Sequence, residues 1–533
     1  MAKTLRINEF TAISYEEALE DEGDVIAEHH VFEKTVRYRN DIFEDLKSVE
    51  ALVAFHLGVG QEFVKAATKK DWTLRGGFNA VIPVRVYTTH GQLQKAATGD
   101  FTRPDSDVQE VLLRFPMPSM CAEEQYPGSC LEKLRCEIAS YVYMQQNCPD
   151  VRIPRLFGFG FPNGRHYTQA SRLSFFRRAC LWVRQTVASV LGRPRPSSYL
   201  FVGPPPMPAS LTSGYMIIEC FAPSLGKQVP RVILGEDMSS EPEKRRNLFR
   251  SVSRIMLSLA RIPQPRIGSY RFNYDGTIAL ANRPVTCDMV ILERRGAPRI
   301  LHEDKTYTSV DEYVSDMLTF HDHRFLAAPN AVLHDRDAKG QMAAMTFVRA
   351  AAHHFIHPER RNGPFVLRFA DHNAGNMIID ESWNVTGRFD LEFLISGPAD
   401  MMEAPPWLTW DPIDSIASER YDAYDKQRLA FMEVFREEER RLRQETRLST
   451  FMEDSWATNR VWFYHSIISL NGIFGLVRER LGSIFYTDVK LLFKERYETW
   501  NMDAAAIAEK KVADRRAYVV ELSKLFQRDP PTS

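Results

Sequence analysis

Residues 367–393, LRFADHNAGNMIIDESWNVTGRFDLEF, decide how the rest of this sequence is interpreted. Short apolar runs alternate in them with polar turns, and this alternation is typical of β-strands joined by tight loops. Three polar residues separate the runs: Asp371, Asn376 five residues later and Asp390 fourteen residues after that. We predict a strand before Asp371, a loop to Asn376, and then a hairpin that ends at Asp390. Because a hairpin returns the chain to its start, Asn376 and Asp390 are expected to converge on one point.

Convergence of these three side chains suits transfer of a phosphoryl group. That reaction requires a divalent metal on hard oxygen ligands and a carboxylate that orients the accepting hydroxyl. Asp371 has the position of that carboxylate, and Asn376 and Asp390 offer the amide and carboxylate oxygens that magnesium prefers. The spacing Asp-x-x-x-x-Asn, followed further on by another Asp, is the one that kinase-like catalytic loops use.

Composition is that of an ordinary globular protein. The 533 residues are 44% hydrophobic and 26% charged, which at about 150 residues per domain predicts several folding units. A formal net charge of −1 lacks the basic excess of nucleic-acid-binding proteins, so no nucleic-acid partner is expected. The 7 cysteines include no Cys-x-x-Cys pair, which favours a reducing compartment. Without a secretory leader pattern or an apolar run of about 18–20 residues, the protein is predicted to be cytoplasmic.

Hydrophobic periodicity divides the chain into strand-rich and helix-rich parts. Residues 1–70 carry mainly helical spacing and are interpreted as an N-terminal extension. Residues 71–218 combine β-rich runs, LRGGFNAVIPVRVYT and DVQEVLLRFPM among them, with the helical segment LEKLRCEIASYVYMQQNC. Residues 219–533 are mainly helical, and 367–393 is the one part of them in which we predict strands. The predicted fold class is therefore α+β, with a small antiparallel β-lobe followed by a large, mainly helical lobe.

An insertion at residues 161–213 differs from its surroundings. From residue 151 to residue 218 the chain has no acidic residue, but arginine stands at 152, 155, 165, 172, 177, 178, 184, 193 and 195. Within it, SFFRRACLWVRQTVASVL predicts an amphipathic helix whose apolar side carries Phe175, Phe176, Ala179, Trp182, Val183, Val187 and Val190. Two interpretations stay open. Residues 172–195 could dock on a membrane or an acidic partner, or the helix could pack on its own lobe with its arginines in solvent.

With these motifs the chain resembles the aminoglycoside phosphotransferase and choline kinase family, in particular its fungal-type branch, which has a protein-kinase-like fold. FADHNAGN (369–376) and DLE (390–392) stand where the family has His-Gly-Asp-Leu-His-Pro-x-Asn and Asp-Trp-Glu. The resemblance extends over roughly residues 70–500, apart from the insertion. Further similar phrases are GGFN, EKLRCEIASY, GYMIIE, PPWLTW and SWATNRVWFYHSI.

The resemblance implies backbone contacts to ATP in the β-lobe. Gly76 and Gly77 would let the main chain approach the nucleotide phosphates closely, because glycine has no side chain. The backbone near Glu219 and Cys220 would form the connector between the lobes and face the adenine. ATP and magnesium are the implied cofactors.

Four side chains receive roles from the same resemblance. Arg114 would clamp the phosphates, and Glu137 would position Arg114. Arginine replaces the lysine usual in the family, and its forked guanidinium can bind a phosphate and a carboxylate together. Asp371 would orient the acceptor hydroxyl and accept its proton. Glu392 would support the metal site or meet a cationic acceptor.

Two loop residues depart from the family pattern. Phe369 stands in place of a histidine that braces the metal-binding segment through a hydrogen bond, and Asn373 replaces a second histidine. The predicted function is ATP-dependent, magnesium-assisted transfer of the γ-phosphate to a hydroxyl of a small molecule. The alternative is a catalytically impaired kinase-like protein that acts as a nucleotide-binding or interaction module.

Overall fold

The fold combines helices with antiparallel sheets, and the predicted α+β class is confirmed. The computed structural model describes residues 3–69, 76–87, 108–230, 240–443 and 446–528. The strands are Leu5–Arg6 (β1), Ala12–Ile13 (β2), Val64–Ala66 (β3), Asn79–Val86 (β4), Gln109–Pro116 (β5), Leu156–Gly160 (β6), His166–Gln169 (β7), Tyr199–Val202 (β8), Tyr215–Glu219 (β9), Lys227–Gln228 (β10), Gly268–Phe272 (β11), Ile278–Asn282 (β12), Phe365–Phe369 (β13), Met377–Ile379 (β14), Val385–Arg388 (β15) and Leu394–Pro398 (β16).

Helices occupy most of the C-terminal half, as predicted. They are Tyr15–Glu20 (α1), Val25–Phe43 (α2), Leu46–Leu57 (α3), Ser129–Asn147 (α4), Phe175–Val190 (α5), Pro242–Ala260 (α6), Cys287–Arg294 (α7), Val310–Ala327 (α8), Asp335–Phe355 (α9), Ile413–Ile416 (α10), Tyr421–Leu442 (α11), Leu448–Ala457 (α12), Arg460–Ile468 (α13), Gly472–Leu476 (α14), Gly482–Phe485 (α15), Val489–Glu495 (α16) and Ala504–Phe526 (α17). None of the helices in the described ranges has both the length and the apolar character needed to cross a membrane.

A seven-stranded antiparallel sheet has the strand order β3-β4-β5-β9-β6-β7-β8. The two β-rich runs pair as predicted, with Asn79 opposite Pro116 and Val86 opposite Gln109. Strand β3 lies before the predicted boundary at residue 70 and joins the sheet beside β4. The insertion at 161–213 contributes β7 and β8, which extend the opposite edge.

Helices cover both faces of this sheet. Leu52 of α3 packs with Ile82 and Leu113 in one core, and Ile138 of α4 packs with Met216 in another. Side chains alternate between the faces along each strand. Every second residue of β5 therefore points toward α4, and this alternation decides where Arg114 lies.

A four-stranded sheet, ordered β12-β11-β16-β13, was only partly predicted. We expected strands after residue 219 only within 367–393, and this was wrong, because β11 and β12 form an antiparallel hairpin. Strand β11 (GSYRF) mixes polar with apolar residues, and the apolar run of β12 (IALAN) is short, so neither shows the regular alternation that predicts a strand. The sequence did contain a turn signal, the Asn-Tyr-Asp-Gly that connects the two strands. Its last residue, Gly276, has a φ of +89°.

The two ends of the described chain pack together. Leu5, Tyr15 and Val25 share a core with Leu522 and Phe526 of α17. Helices α1, α2 and α3 each begin at a side-chain cap. In α2, for example, Asp24 before the first turn accepts a hydrogen bond from the Ala27 N–H. Helical spacing in the N-terminal extension is confirmed by α1, α2 and α3.

Candidate active site

The hairpin predicted between Asn376 and Asp390 is formed by β14 and β15. Met377 lies opposite Arg388, and the Phe389 N–H donates to the Asn376 carbonyl at 3.0 Å. The hairpin therefore brings Asn376 beside the residue that precedes Asp390. Asp371 follows β13, which belongs to the four-stranded sheet and not to the hairpin sheet.

Asp390 has an unusual backbone conformation. Its φ is +60°, in the left-handed region that residues with a side chain rarely adopt. The half-buried carboxylate accepts a hydrogen bond from Arg114 Nη2 through Oδ1 at 2.6 Å. Such a conformation persists only where surrounding contacts hold it, and it occurs often at functional sites.

Arg114 is the centre of a buried group of charges. The alternation along β5 turns it toward α4, where its Nε lies 3.2 Å from Glu137 Oε1. Its Nη2 also lies 3.3 Å from Glu392 Oε2. The pairing of Arg114 with Glu137, expected from the family resemblance, is present. The approach is an ion pair without hydrogen-bond geometry, because Arg114 Nε has no hydrogen-bond partner in the described part of the chain.

Two residues that contact this group, Lys133 and Asn79, were not predicted from the sequence. Lys133 forms an ion pair with Glu392 and donates to Asn79 Oδ1 at 3.1 Å. Asn79 Nδ2 donates to Glu392 Oε2 at 2.8 Å. A signal existed, since Lys133 precedes Glu137 by four residues on one helix and therefore shares its face. Below, the Glu137 cluster means Arg114, Lys133, Glu137, Asp390 and Glu392.

The Glu137 cluster carries more negative than positive groups. Glu137, Asp390 and Glu392 face the two cations Arg114 and Lys133, and one oxygen from each of the three acids lies within 4.8 Å of the others. Burial raises the pKa of Glu137 to about 7, although Arg114 and Lys133 oppose the rise. Burial alone would raise the pKa of Glu392, but Lys133 and Arg114 hold it below its ordinary value. Burial raises the pKa of Asp390 as well, although Arg114 opposes the rise.

Glu137 also has unused hydrogen-bonding capacity. The residue is 1% exposed, and neither of its carboxylate oxygens accepts a hydrogen bond from any described residue. A buried acceptor without a partner costs free energy that the rest of the fold must offset. Such groups in a native structure often mark a position that a ligand or ion completes.

Asp371 lies close enough to this cluster to be affected by its charge. Burial raises the pKa of Asp371 to about 6, with further contributions from Asp390 and Glu392. Asp288, in the first turn of α7, was not predicted as a site residue. Burial and the nearby Asp371 raise its pKa to about 6 as well, while His465 opposes the rise. Two carboxyl groups with raised pKa values therefore face the same region.

Phe369, which replaces a histidine of the family pattern, is stacked on Arg388. The Arg388 guanidinium carbon lies 3.9 Å from the ring centroid, and Nη2 donates to the Asp371 carbonyl at 3.4 Å. Arg388 is fully buried, and burial lowers its pKa to about 10. A hydrogen bond to the loop that follows β13 therefore comes from strand β15.

The two loop residues after Asp371 have structural roles. Asn373 Oδ1 accepts from the Gly375 N–H at 2.8 Å, which forms a local turn before Asn376. Burial lowers the pKa of His372 to about 3, with Arg388 and Arg368 adding to the effect, so the ring is neutral. His372 lines a cavity of about 40 Å³.

The predicted glycine loop leads into β4, whose first residue Asn79 bonds to the Glu137 cluster. Gly76 and Gly77 precede β4, and a side chain at Gly77 would meet no atom within 4 Å. The next residue, Phe78, packs its ring edge-on against Phe393 with centroids 5.3 Å apart. Phe78 thereby connects this loop to the segment that carries Asp390.

The predicted connector follows β9. The Glu219 N–H donates to the Arg155 carbonyl at 2.8 Å, and the Cys220 N–H donates to the Glu110 carbonyl at 3.2 Å. The Glu219 carboxylate accepts from Arg152 Nη2 at 2.7 Å. Both backbone donors are therefore engaged within the protein, which leaves their carbonyl groups as the polar atoms for a ligand.

Comparison with known proteins gives no match: no protein-family model and no curated protein matches this chain. The functional argument therefore depends on the fold and on the geometry of the site.

Proposed function

We propose that this protein is an ATP-dependent phosphotransferase with a two-lobed, protein-kinase-like fold that transfers the γ-phosphate to a hydroxyl of a small molecule. One observation carries the proposal. Arg114 on a strand of the large sheet contacts both the helix acid Glu137 and Asp390 at the end of the hairpin. A strand cation that joins a helix acid to a metal-binding acid is the arrangement on which kinase-type phosphate positioning depends.

The residues present suit magnesium and a nucleotide phosphate. Asn376 and Asp390 would hold the ion, since an amide and a carboxylate oxygen are the hard donors that magnesium prefers. When bound, magnesium would neutralise the negative charge on the phosphates. The buried Glu137 oxygens, which accept no hydrogen bond from a described residue, support a site whose charge is completed by a ligand. A phosphate that reached Arg114 would replace a carboxylate as the partner of Nη2.

Asp371 would handle the proton of the acceptor. A pKa of about 6 leaves it mainly ionised at neutral pH, so its carboxylate could accept a hydrogen bond from a hydroxyl. The hydrogen bond from Arg388 to the Asp371 carbonyl would keep the carboxylate in place. Since Glu392 is held by Lys133, Asp288 is the better candidate for contact with a cationic acceptor.

The alternative proposal is a nucleotide-binding protein with impaired catalysis. Two observations favour it: the connector N–H groups of Glu219 and Cys220 are engaged, and Phe78 packs over the segment that carries Asp390. A bound nucleotide would then have to use carbonyl groups of the connector and displace the loop.

Thermal unfolding with ATP, with and without magnesium, tests binding, and the phosphate mass gained by metabolites of a cell extract tests transfer. We expect ATP to stabilise the protein only with magnesium, by about 2.7 kcal/mol at a hundredfold excess over Kd. Asp390→Asn should abolish this stabilisation. Asp371→Asn should retain it but lower transfer by about 10²–10⁴-fold.

Asp422→Asn, on the exposed side of α11, is the matched control and should behave as the wild-type protein. Stabilisation by ATP without any transfer would favour the alternative. Stabilisation that is the same in Asp390→Asn and without magnesium would contradict the proposed site.

A further inference from the structure

Helix α5 presents its apolar side to solvent. Phe175, Phe176, Trp182 and Val190 are 77%, 75%, 66% and 80% exposed. The helix does pack on its own lobe with its arginines in solvent, but not through this apolar side. In its place Leu181 and Ala188, on the other side of the helix, make the contact with the protein.

The exposed apolar residues form one continuous surface. At about 100° per residue, Trp182, Phe175, Val183 and Val187 fall within an arc of about 140°. Isolated exposed apolar residues are common, but a contiguous patch of aromatic and aliphatic side chains marks an interaction site.

Arginines border this surface. Arg177 Nη2 donates to the Phe201 carbonyl at 2.7 Å, and Arg184 Nη2 donates to the Asp275 carbonyl at 3.2 Å, which keeps both side chains beside the helix. Arg178, Arg193 and Arg195 are exposed as well. Because no acidic residue occurs between residues 151 and 218, this side of the molecule attracts negative charge.

We propose that residues 172–195 dock the protein on an anionic lipid bilayer, with α5 lying in the plane of the membrane surface. Trp and Phe on one face, with arginines along the other, are the pattern of helices that insert their apolar side to the depth of the headgroups. Trp is also enriched at that depth. The arginines contact the lipid phosphates and carboxylates. This site is separate from the proposed active site.

Charge argues against a second copy of the chain as the occupant. Two copies that met through this face would bring their arginines together without an acidic counterpart from the same segment. An anionic bilayer supplies both the apolar interior and the opposite charge that the surface lacks.

Co-sedimentation of the full chain with phosphatidylcholine vesicles, with and without about 30% phosphatidylserine, tests the proposal. We expect binding to the anionic vesicles that weakens as salt is raised. Phe176→Ser and Trp182→Ser should each lower the partition coefficient about tenfold or more, because each removes a large inserted apolar group. Leu429→Ser, at a residue 53% exposed on α11, is the matched control and should bind as the wild-type protein.

The arginine contribution is measured separately. Arg178→Gln and Arg193→Gln should each weaken binding to the anionic vesicles about fivefold and leave binding to neutral vesicles unchanged. Absence of vesicle binding, or equal loss in Leu429→Ser, would overturn the proposal. A concentration-dependent dimer that Phe176→Ser dissociates, without vesicle binding, would assign the surface to a second copy and also overturn it.

Discussion

Helix α4 carries two buried charge clusters one turn apart, and they differ in how completely their charges are paired. Glu132 accepts from Arg283 Nε at 2.8 Å, from Arg283 Nη2 at 3.0 Å and from Asn282 at 2.9 Å. Glu293 accepts from Arg283 and from Arg299, the latter at 2.7 Å. In this Glu132 cluster, made of Glu132, Arg283, Glu293 and Arg299, two acids balance two arginines. The Glu137 cluster has an excess acid and carboxylate oxygens without hydrogen bonds.

The difference places a fully paired and a partly paired buried cluster on a single helix. A fully paired buried cluster fixes α4 against β12 and α7, because moving either partner would leave a charge without compensation. A cluster with unpaired acceptors stabilises the fold less and leaves capacity for a further cation. The helix is therefore held by Glu132, while the buried carboxylate oxygens of Glu137 accept no hydrogen bond from a described residue.

The largest expected effect comes from Glu132→Gln. The substitution leaves Arg283 with only one buried acid, and breaking a buried ion pair costs about 3–5 kcal/mol. We expect the free energy of unfolding, measured by urea denaturation, to fall by that amount. Glu137→Gln on the same helix is the matched control, and an equal loss in the two variants would remove the distinction between the clusters.

Asn79→Ala tests the hydrogen bonds that Asn79 makes to the Glu137 cluster. Its side chain is 3% exposed and bonds both Glu392 and Lys133. Removing it leaves buried polar groups without a hydrogen-bond partner, which lowers the free energy of unfolding by about 1–3 kcal/mol. The urea midpoint should therefore fall, but by less than in Glu132→Gln. An unchanged midpoint would mean that water takes the place of the amide.

Glu137→Gln should have the smallest effect on the free energy of unfolding near pH 5, and this effect should depend on pH. The pKa of Glu137 is raised from 4.5 to about 7, so the unfolded chain loses this proton first as pH rises. Between these values the native state binds more protons, and its stability falls with rising pH. We expect unfolding free energies of the variant to match the wild-type protein near pH 5 and to exceed them increasingly as the pH rises to 8, because only the wild-type protein loses a buried proton over this range. A stability curve with the same slope in both proteins would contradict the raised pKa.

Local sequence pattern was enough for much of the fold. The pair β4 and β5, the helix α4 and the hairpin β14–β15 all follow from periodicity and turn residues within about 40 residues of chain. The pairing of Arg114 with Glu137 was expected from the family resemblance and not from periodicity, and the two side chains do meet in the structure. Strands β11 and β12 escaped prediction, since GSYRF and IALAN show no regular alternation of polar and apolar residues.

Tertiary structure decided which charges meet and which surfaces stay open. Arg388 reaches Asp371, and Asn79 bridges Lys133 and Glu392, only because separate sheets and helices bring distant residues together. Likewise, an apolar stripe indicates a helix but not its partner, so the sequence of α5 could not say whether that side faces protein or solvent. Periodicity is a property of one element, whereas burial depends on every element that packs against it.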